Sequence, residues 1–130
     1  MIWTFEEYVL GSQGNEHGII SNDLDDSAEG ELYVVLSEHL GIYPASEWGM
    51  PHYLPIGGGM GEIRWKCADK QFRAYGSFAD GKRFRIWMIA TKDRKRKGHQ
   101  ATDPPEAIEK ARKRRKEFEL HRIGRLRVYE

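Results

Sequence analysis

Hydrophobic and polar positions alternate most regularly in the middle of the chain. In residues 62–67, Ile63, Trp65 and Cys67 point one way and Arg64 and Lys66 the other, the period-two pattern of a strand with one buried face. Residues 72–78 alternate again. Residues 83–91 form a third segment whose apolar density (Phe84, Ile86, Trp87, Met88, Ile89) suits a central strand. The Ala79-Asp80-Gly81 connection fits a three-residue hairpin loop closed by a left-handed glycine. Upstream, residues 2–10 read as a first strand and residues 11–18 as a turn-rich break. Residues 28–40 read as a helix, with Leu32, Val35, Leu36, His39 and Leu40 at helical spacing and Gly41 as its stop. Residues 42–61, rich in Gly and Pro, read as a long loop. Its GGGMG run opens no helix and so lacks the geometry of a phosphate loop. Downstream, Thr102 or Asp103 caps a helix that tolerates Pro104 in its first turn. This helix carries Ile108, Ala111, Arg115 and Phe118 along one stripe to about Leu120. Gly124 ends it, and residues 126–129 add a short edge strand.

The alternation also suggests a register. A turn near Asp69-Lys70 that sets Lys66 opposite Arg73 sets Arg64 opposite Tyr75, and the loop at 79–81 sets Arg73 opposite Trp87 and Tyr75 opposite Arg85. Directly opposed residues share a face. One face is then expected to carry Arg64, Lys66, Arg73, Tyr75, Arg85 and Trp87 with no acid among them. The other carries Ile63, Trp65, Cys67, Phe72, Ala74, Gly76, Phe84, Ile86 and Met88 as the core. Helices cover the apolar face and the basic face stays open. The expected architecture is one α+β domain over residues 1–130, with an antiparallel, mixed-edge sheet of four to five strands, an N-terminal helix on one face and a C-terminal helix.

Charge sharpens this picture. The formal net charge of the 130 residues is +1. Yet residues 1–61 contain ten acids and no Lys or Arg, while residues 62–130 hold all 21 basic side chains against ten acids. Such asymmetry either offers a polyanion a basic surface or lets the two halves neutralise each other in the fold. Guanidinium and ammonium groups pair with phosphate, and rings among them stack on bases. Single-stranded RNA therefore suits the basic face better than duplex DNA, for which no recognition helix is evident. Lys92, Arg94, Lys95, Arg96, Lys97 and His99 add to the positive field at the sheet's end. Cys67 is the single cysteine, so no internal disulfide forms. His, Cys and acidic residues show no metal-ligand spacing, and neither a metal nor another cofactor is expected. The absence of a basic N-terminal region or a long apolar run points to a cytoplasmic protein with no membrane partner.

The run from Gly59 through His99, with its Glu62-Ile63-Arg64 strand, its Phe72-Arg73 pair, its apolar strand, its basic loop and the following AIEKARKRRKEF helix, resembles the central region of RelE/HigB-type toxins, nearest their phage-derived members. The resemblance implies a small toxin-like domain that cleaves mRNA, usually on the ribosome, and is neutralised by a cognate helix-turn-helix antitoxin. It matches the family's basic residues to Arg64, Lys66 and Arg73, and the one in the loop after the fourth strand to Arg94 or Lys95. A Tyr or His that assists the leaving group is usual near the end, and His99 is the substitute here.

Metal-free RNA cleavage needs a base for the 2′-hydroxyl, cations for the phosphorane charge and an acid for the 5′-oxygen. Lys66, crowded by Arg64 and Arg73, is the candidate base. The two arginines are the charge stabilisers, His99 is the candidate acid, and Tyr75 and Trp87 are the stacking platform, with Arg85 and Lys92 as further phosphate contacts. His17, His39, His52 and His121 read as structural, because each lacks a positioned partner in the sequence. Two other functions fit the same residues. One is a non-catalytic RNA- or ribosome-binding protein of phage origin. The other is an acidic docking surface for a basic partner protein.

Overall fold

Eight strands join one mixed sheet among the residues described by the computed structural model, 1–92 and 102–130. The strands are β1 (Thr4–Leu10), β2 (His17–Gly18), β3 (Tyr53–Gly57), β4 (Met60–Cys67), β5 (Lys70–Ala79), β6 (Arg83–Lys92), β7 (Thr102–Asp103) and β8 (Leu126–Val128). The order is β2-β1-β6-β5-β4-β3, with β7 on β6 and β8 on β1. Neighbours are antiparallel except β1 and β6, which run parallel with Phe5 beside Phe84. The chain leaves β1, passes through two helices and a four-strand meander, and returns beside its own beginning. Three helices accompany the sheet: α1 (Ile19–Asp23), α2 (Asp26–Val34) and α3 (Ala107–His121). The protein is thus α+β with an open, mixed sheet, which exceeds the four to five strands expected.

Both faces of the sheet are covered in part. On the first, α1, α2 and the turn after them bury Ile19, Ile20, Leu32, Leu36 and Leu40 against Phe5, Ile63, Trp65, Ala74, Phe84 and Ile86. On the second, Ala107, Ile108 and Ala111 of α3 pack on Met60, Tyr75, Trp87, Met88 and Ala90. The expected open face is therefore corrected: α3 roofs much of its β5–β6 portion, while Arg64 and Lys66 of β4 stay partly or fully accessible.

A bulge explains how the third predicted strand supplies both layers. From Ala79↔Arg83 to Gly76↔Ile86 the pairing is regular, but Tyr75 then faces Met88 and Trp87 has no partner on β5. The extra residue moves Met88 and Ala90 onto the α3 side and leaves Ile89 on the other, and period-two counting carries no signal of such an insertion. The connecting loop is Asp80-Gly81-Lys82, one residue later than expected, with Gly81 at φ +77° and Lys82 at +55°.

Helix boundaries follow local chemistry. The Asp25 carboxylate accepts a hydrogen bond from the Ala28 N–H at 2.8 Å and caps α2, whose first turn holds Asp26 and Glu29. Beyond Val34 the helix continues as a π-helical segment, Val35–Leu40. Gly41 stops it for a reason other than the left-handed cap expected. Its φ is −64°, and its N–H donates to the Leu36 carbonyl five residues back at 2.7 Å. A Cβ there would overlap the Leu36 carbonyl oxygen and the Met1 side chain. Thr102 and Asp103 do not cap α3 but pair with Lys92 and Thr91. The peptide before Pro104 is cis, and the helix starts after Glu106. Arg122, left-handed at φ +56°, ends it, with Gly124 two residues further on.

Candidate nucleic-acid interface

A two-residue turn, Ala68-Asp69 with Ala68 at φ +54°, sets the register of β4 on β5. Arg64 lies opposite Arg73, Lys66 opposite Gln71, and Glu62 opposite Tyr75. The offset from the expected register is two residues, so every side chain keeps its face while its neighbours change. Arg64, Lys66 and Arg73 do converge on one side. Glu62, two residues before Arg64 on the same strand, joins them. The expectation of an acid-free face is corrected on this point. The Glu62 carboxylate is fully buried, with Oε2 at 3.3 Å from Arg64 Nε and Oε1 at 3.3 Å from Arg73 Nε. Neither oxygen has a partner aligned as a hydrogen bond, and the buried Tyr75 hydroxyl has none either.

Burial grades the three cations. Arg73 is only 4 % exposed. Its Nη1 donates to the Phe72 carbonyl at 3.0 Å and its Nη2 to Gln71 Oε1 at 3.2 Å. Loss of water and the neighbouring Arg64 charge hold its guanidinium below the usual arginine range, against the pull of Glu62. Arg64 is partly exposed and rests 3.2 Å from Met50 Sδ. Lys66 is exposed and makes no ion pair with another described residue.

These side chains line a cleft of about 520 Å³ along the β4 edge. Its opposite wall comes from α2, the π-helical segment and the turn before β3, with Glu31, Val34, Val35, His39, Met50, Pro51 and His52, so one carboxylate of the acidic half also borders the cleft. Residues 53–57, expected as loop, form β3, and its pairing of Tyr53 with Ile63 holds that turn against β4. The His52 carbonyl accepts the Arg64 N–H at 2.8 Å. The His39 and His52 rings stack, with centroids 4.3 Å apart and planes at 26°. Partial burial lowers the His52 imidazole below its ordinary 6.5, and the nearby His39 adds to this, against a smaller opposing effect from a hydrogen bond to the Arg64 backbone. Both histidines read as structural in the sequence. His39 and His52 are 13 positions apart, and only the π-helical turn and the turn before β3 bring them together.

The remaining expected contacts lie elsewhere. Tyr75 and Trp87 are fully buried beneath α3, so neither ring presents a face to a base. Burial, then the Glu62 charge and the approach of its carboxylate to the hydroxyl, short of an aligned hydrogen bond, push the Tyr75 hydroxyl well above its ordinary 10.0. Arg85 pairs with Glu6 at 3.1 Å and lies over the Phe118 ring, outside the cleft. Lys92 ends β6 beside Gln71 by the register that pairs Phe72 with Thr91, and does not itself line the cleft. Arg94, Lys95 and His99 lie outside the described residues. Among the described residues no group of three or more His, Cys, Asp or Glu is placed to hold a metal ion. None of their helices is long and apolar enough to cross a membrane. The fold and cleft define a mixed-sheet α+β protein with a cationic, imidazole-flanked groove. Searches against protein-family models, curated proteins and solved structures find no match.

Proposed function

We propose that this protein is an mRNA endoribonuclease of the RelE/HigB toxin type, that its cleft binds the RNA backbone, and that cleavage proceeds without a metal. The observation that carries the reading is the convergence of Arg64, Lys66 and Arg73 from two adjacent strands on a cleft whose other wall holds the His39–His52 pair. Cations beside a scissile phosphate stabilise the charge of the phosphorane, and an imidazole with a lowered proton affinity is neutral at pH 7 and able to take a proton. His52 then takes over the role of base that the sequence offered to Lys66. It accepts the 2′-hydroxyl proton as the 2′-oxygen bonds to phosphorus, while the Lys66 ammonium supplies a proton to the 5′-oxygen as the P–O5′ bond breaks. The products are a 2′,3′-cyclic phosphate and a 5′-hydroxyl. Arg64 contacts the phosphate and Arg73 supplies charge from the cleft floor. The ribosome as the site of action and a helix-turn-helix antitoxin as the neutralising partner belong to the same reading.

Inducible expression in a bacterial host tests this. Wild type should arrest growth and leave mRNA fragments ending in cyclic phosphate, whereas Lys66→Ala and Arg64→Ala should do neither while staying folded. Intact mRNA with normal growth under wild-type expression would refute the nuclease. The near-complete burial of Arg73 favours a second reading, an RNA- or ribosome-binding protein that does not cut. That protein would retain salt-dependent RNA affinity in the same experiment.

A further inference from the structure

Two guanidinium groups on adjacent strands repel each other unless an anion lies between them. Glu62 occupies the position that resolves this. The β4–β5 register makes a square of Glu62, Arg64, Arg73 and Tyr75, with Arg64 opposite Arg73 and Glu62 opposite Tyr75. Each carboxylate oxygen of Glu62 approaches the Nε of one arginine at 3.3 Å. We infer that Glu62 is a positioning residue, whose buried carboxylate fixes the Arg64 and Arg73 guanidinium groups side by side before RNA arrives; this rests on the endoribonuclease reading above.

Three features favour this over a purely structural ion pair. A fully buried carboxylate whose oxygens lack aligned hydrogen bonds stabilises a fold poorly, and an apolar side chain of similar volume usually does as well or better. Both arginines are held through Nε, which leaves the outer end of Arg64, among the described residues, against a thioether, a weak acceptor that a phosphate oxygen can displace. Both arginines also line the cleft that Glu62 itself does not reach. The carboxylate therefore acts on RNA through them. Its role is preorganisation: the cations stand ready where charge develops, with no rearrangement in the transition state.

The test uses the purified full chain, Glu62→Gln and Glu62→Asp. It measures single-turnover cleavage of an mRNA, alone and in a reconstituted translation reaction, with affinity for a single-stranded oligoribonucleotide and melting temperature alongside. Glu62→Gln removes a negative charge, so RNA affinity should hold or tighten while the cleavage rate of the folded protein falls about a hundredfold. Glu62→Asp keeps the charge and should recover part of that rate. If Glu62→Gln lowers only melting temperature and active amplitude, leaving the rate per folded molecule at the wild-type value, the positioning role is overturned and the nuclease stands. If Glu62→Gln does not fold, Glu62→Asp decides, with a slower rate at unchanged affinity in support and an unchanged rate against. Absence of cleavage by wild type in both formats overturns the nuclease reading and this inference with it.

Discussion

Replacing Trp87 by alanine distinguishes a core residue from a base-stacking one. Trp87 is fully buried. Its indole N–H donates to Ser77 Oγ at 2.9 Å, and its ring lies 5.7 Å from Phe118 and 6.4 Å from Tyr8 by centroid. Truncating a buried tryptophan costs about 3–5 kcal/mol, through lost burial and the cavity left behind. The buried Ser77 hydroxyl would lose its partner, adding about 1 kcal/mol. The loss of roughly 4–6 kcal/mol is comparable to the whole stability of a marginal domain, about 5–15 kcal/mol. At roughly 3–5 °C per kcal/mol for a chain of this size, the melting temperature should fall by about 15 °C or more. Urea unfolding followed by circular dichroism, with RNA affinity measured on the folded fraction at low temperature, checks this. Affinity should be nearly unchanged while stability collapses. A variant as stable as wild type with its RNA affinity lost would show that the ring faces the nucleic acid, and would refute the covered-face account.

Other consequences follow from the cleft and the fold. Removing Lys66, the exposed cation, should weaken binding to single-stranded RNA evenly across sequences and reduce the slope of log affinity against log salt by about 0.7, readable by fluorescence titration at several salt concentrations; an unchanged slope would place the RNA elsewhere. Because His52 is held below 6.5, cleavage should stay flat on acidification until pH passes below that value, then fall as the base protonates. His39→Ala removes one of the causes and should move this acid limb upward, and a pH–rate profile without the shift would refute the pairing of the two rings. Asp25→Ala deletes the α2 cap and should cost about 1 kcal/mol by chemical denaturation. A loss indistinguishable from zero would mean that α2 is held by packing alone.

Strand identity was legible where the side chains alternate, and registers were legible only to parity. The β4–β5 turn admits two residues or four with the same faces, so Lys66, Arg64 and Arg73 could be grouped while their opposite numbers could not. Glu62 was visible two positions before Arg64, and extending the alternation by one step would have put it on the basic face. The bulge at Trp87 was not legible, because an inserted residue in an almost wholly apolar run leaves the pattern looking like a central strand. Strand β3 was hidden for another reason: Pro55 and Gly57 read as breakers, yet an edge strand tolerates both. The α2 helix was legible but its π-helical continuation was not, and that turn is what carries His39 to the cleft.

The sorting of charge along the chain now has a structural account that separates the two explanations offered for it. Strand β1 belongs to the acidic half but inserts between strands of the basic half, so its carboxylates meet arginines directly. Glu6 pairs with Arg83 and Arg85, and Glu7 with Arg127, while Glu16, in the turn after β1, pairs with Arg125. Mutual neutralisation thus accounts for the basic side chains nearest β1. It does not account for β4, which lies on the far side of β5 and β6 from those acids. There Glu62, from the basic half itself, serves the two arginines, and Glu31 of α2 borders the same cleft without an ion pair to Lys66, which stays exposed. Selection for charge balance alone would put the unmatched cation on any surface. Its position on the wall of the cleft, opposite paired imidazoles, is what a phosphate-binding groove requires.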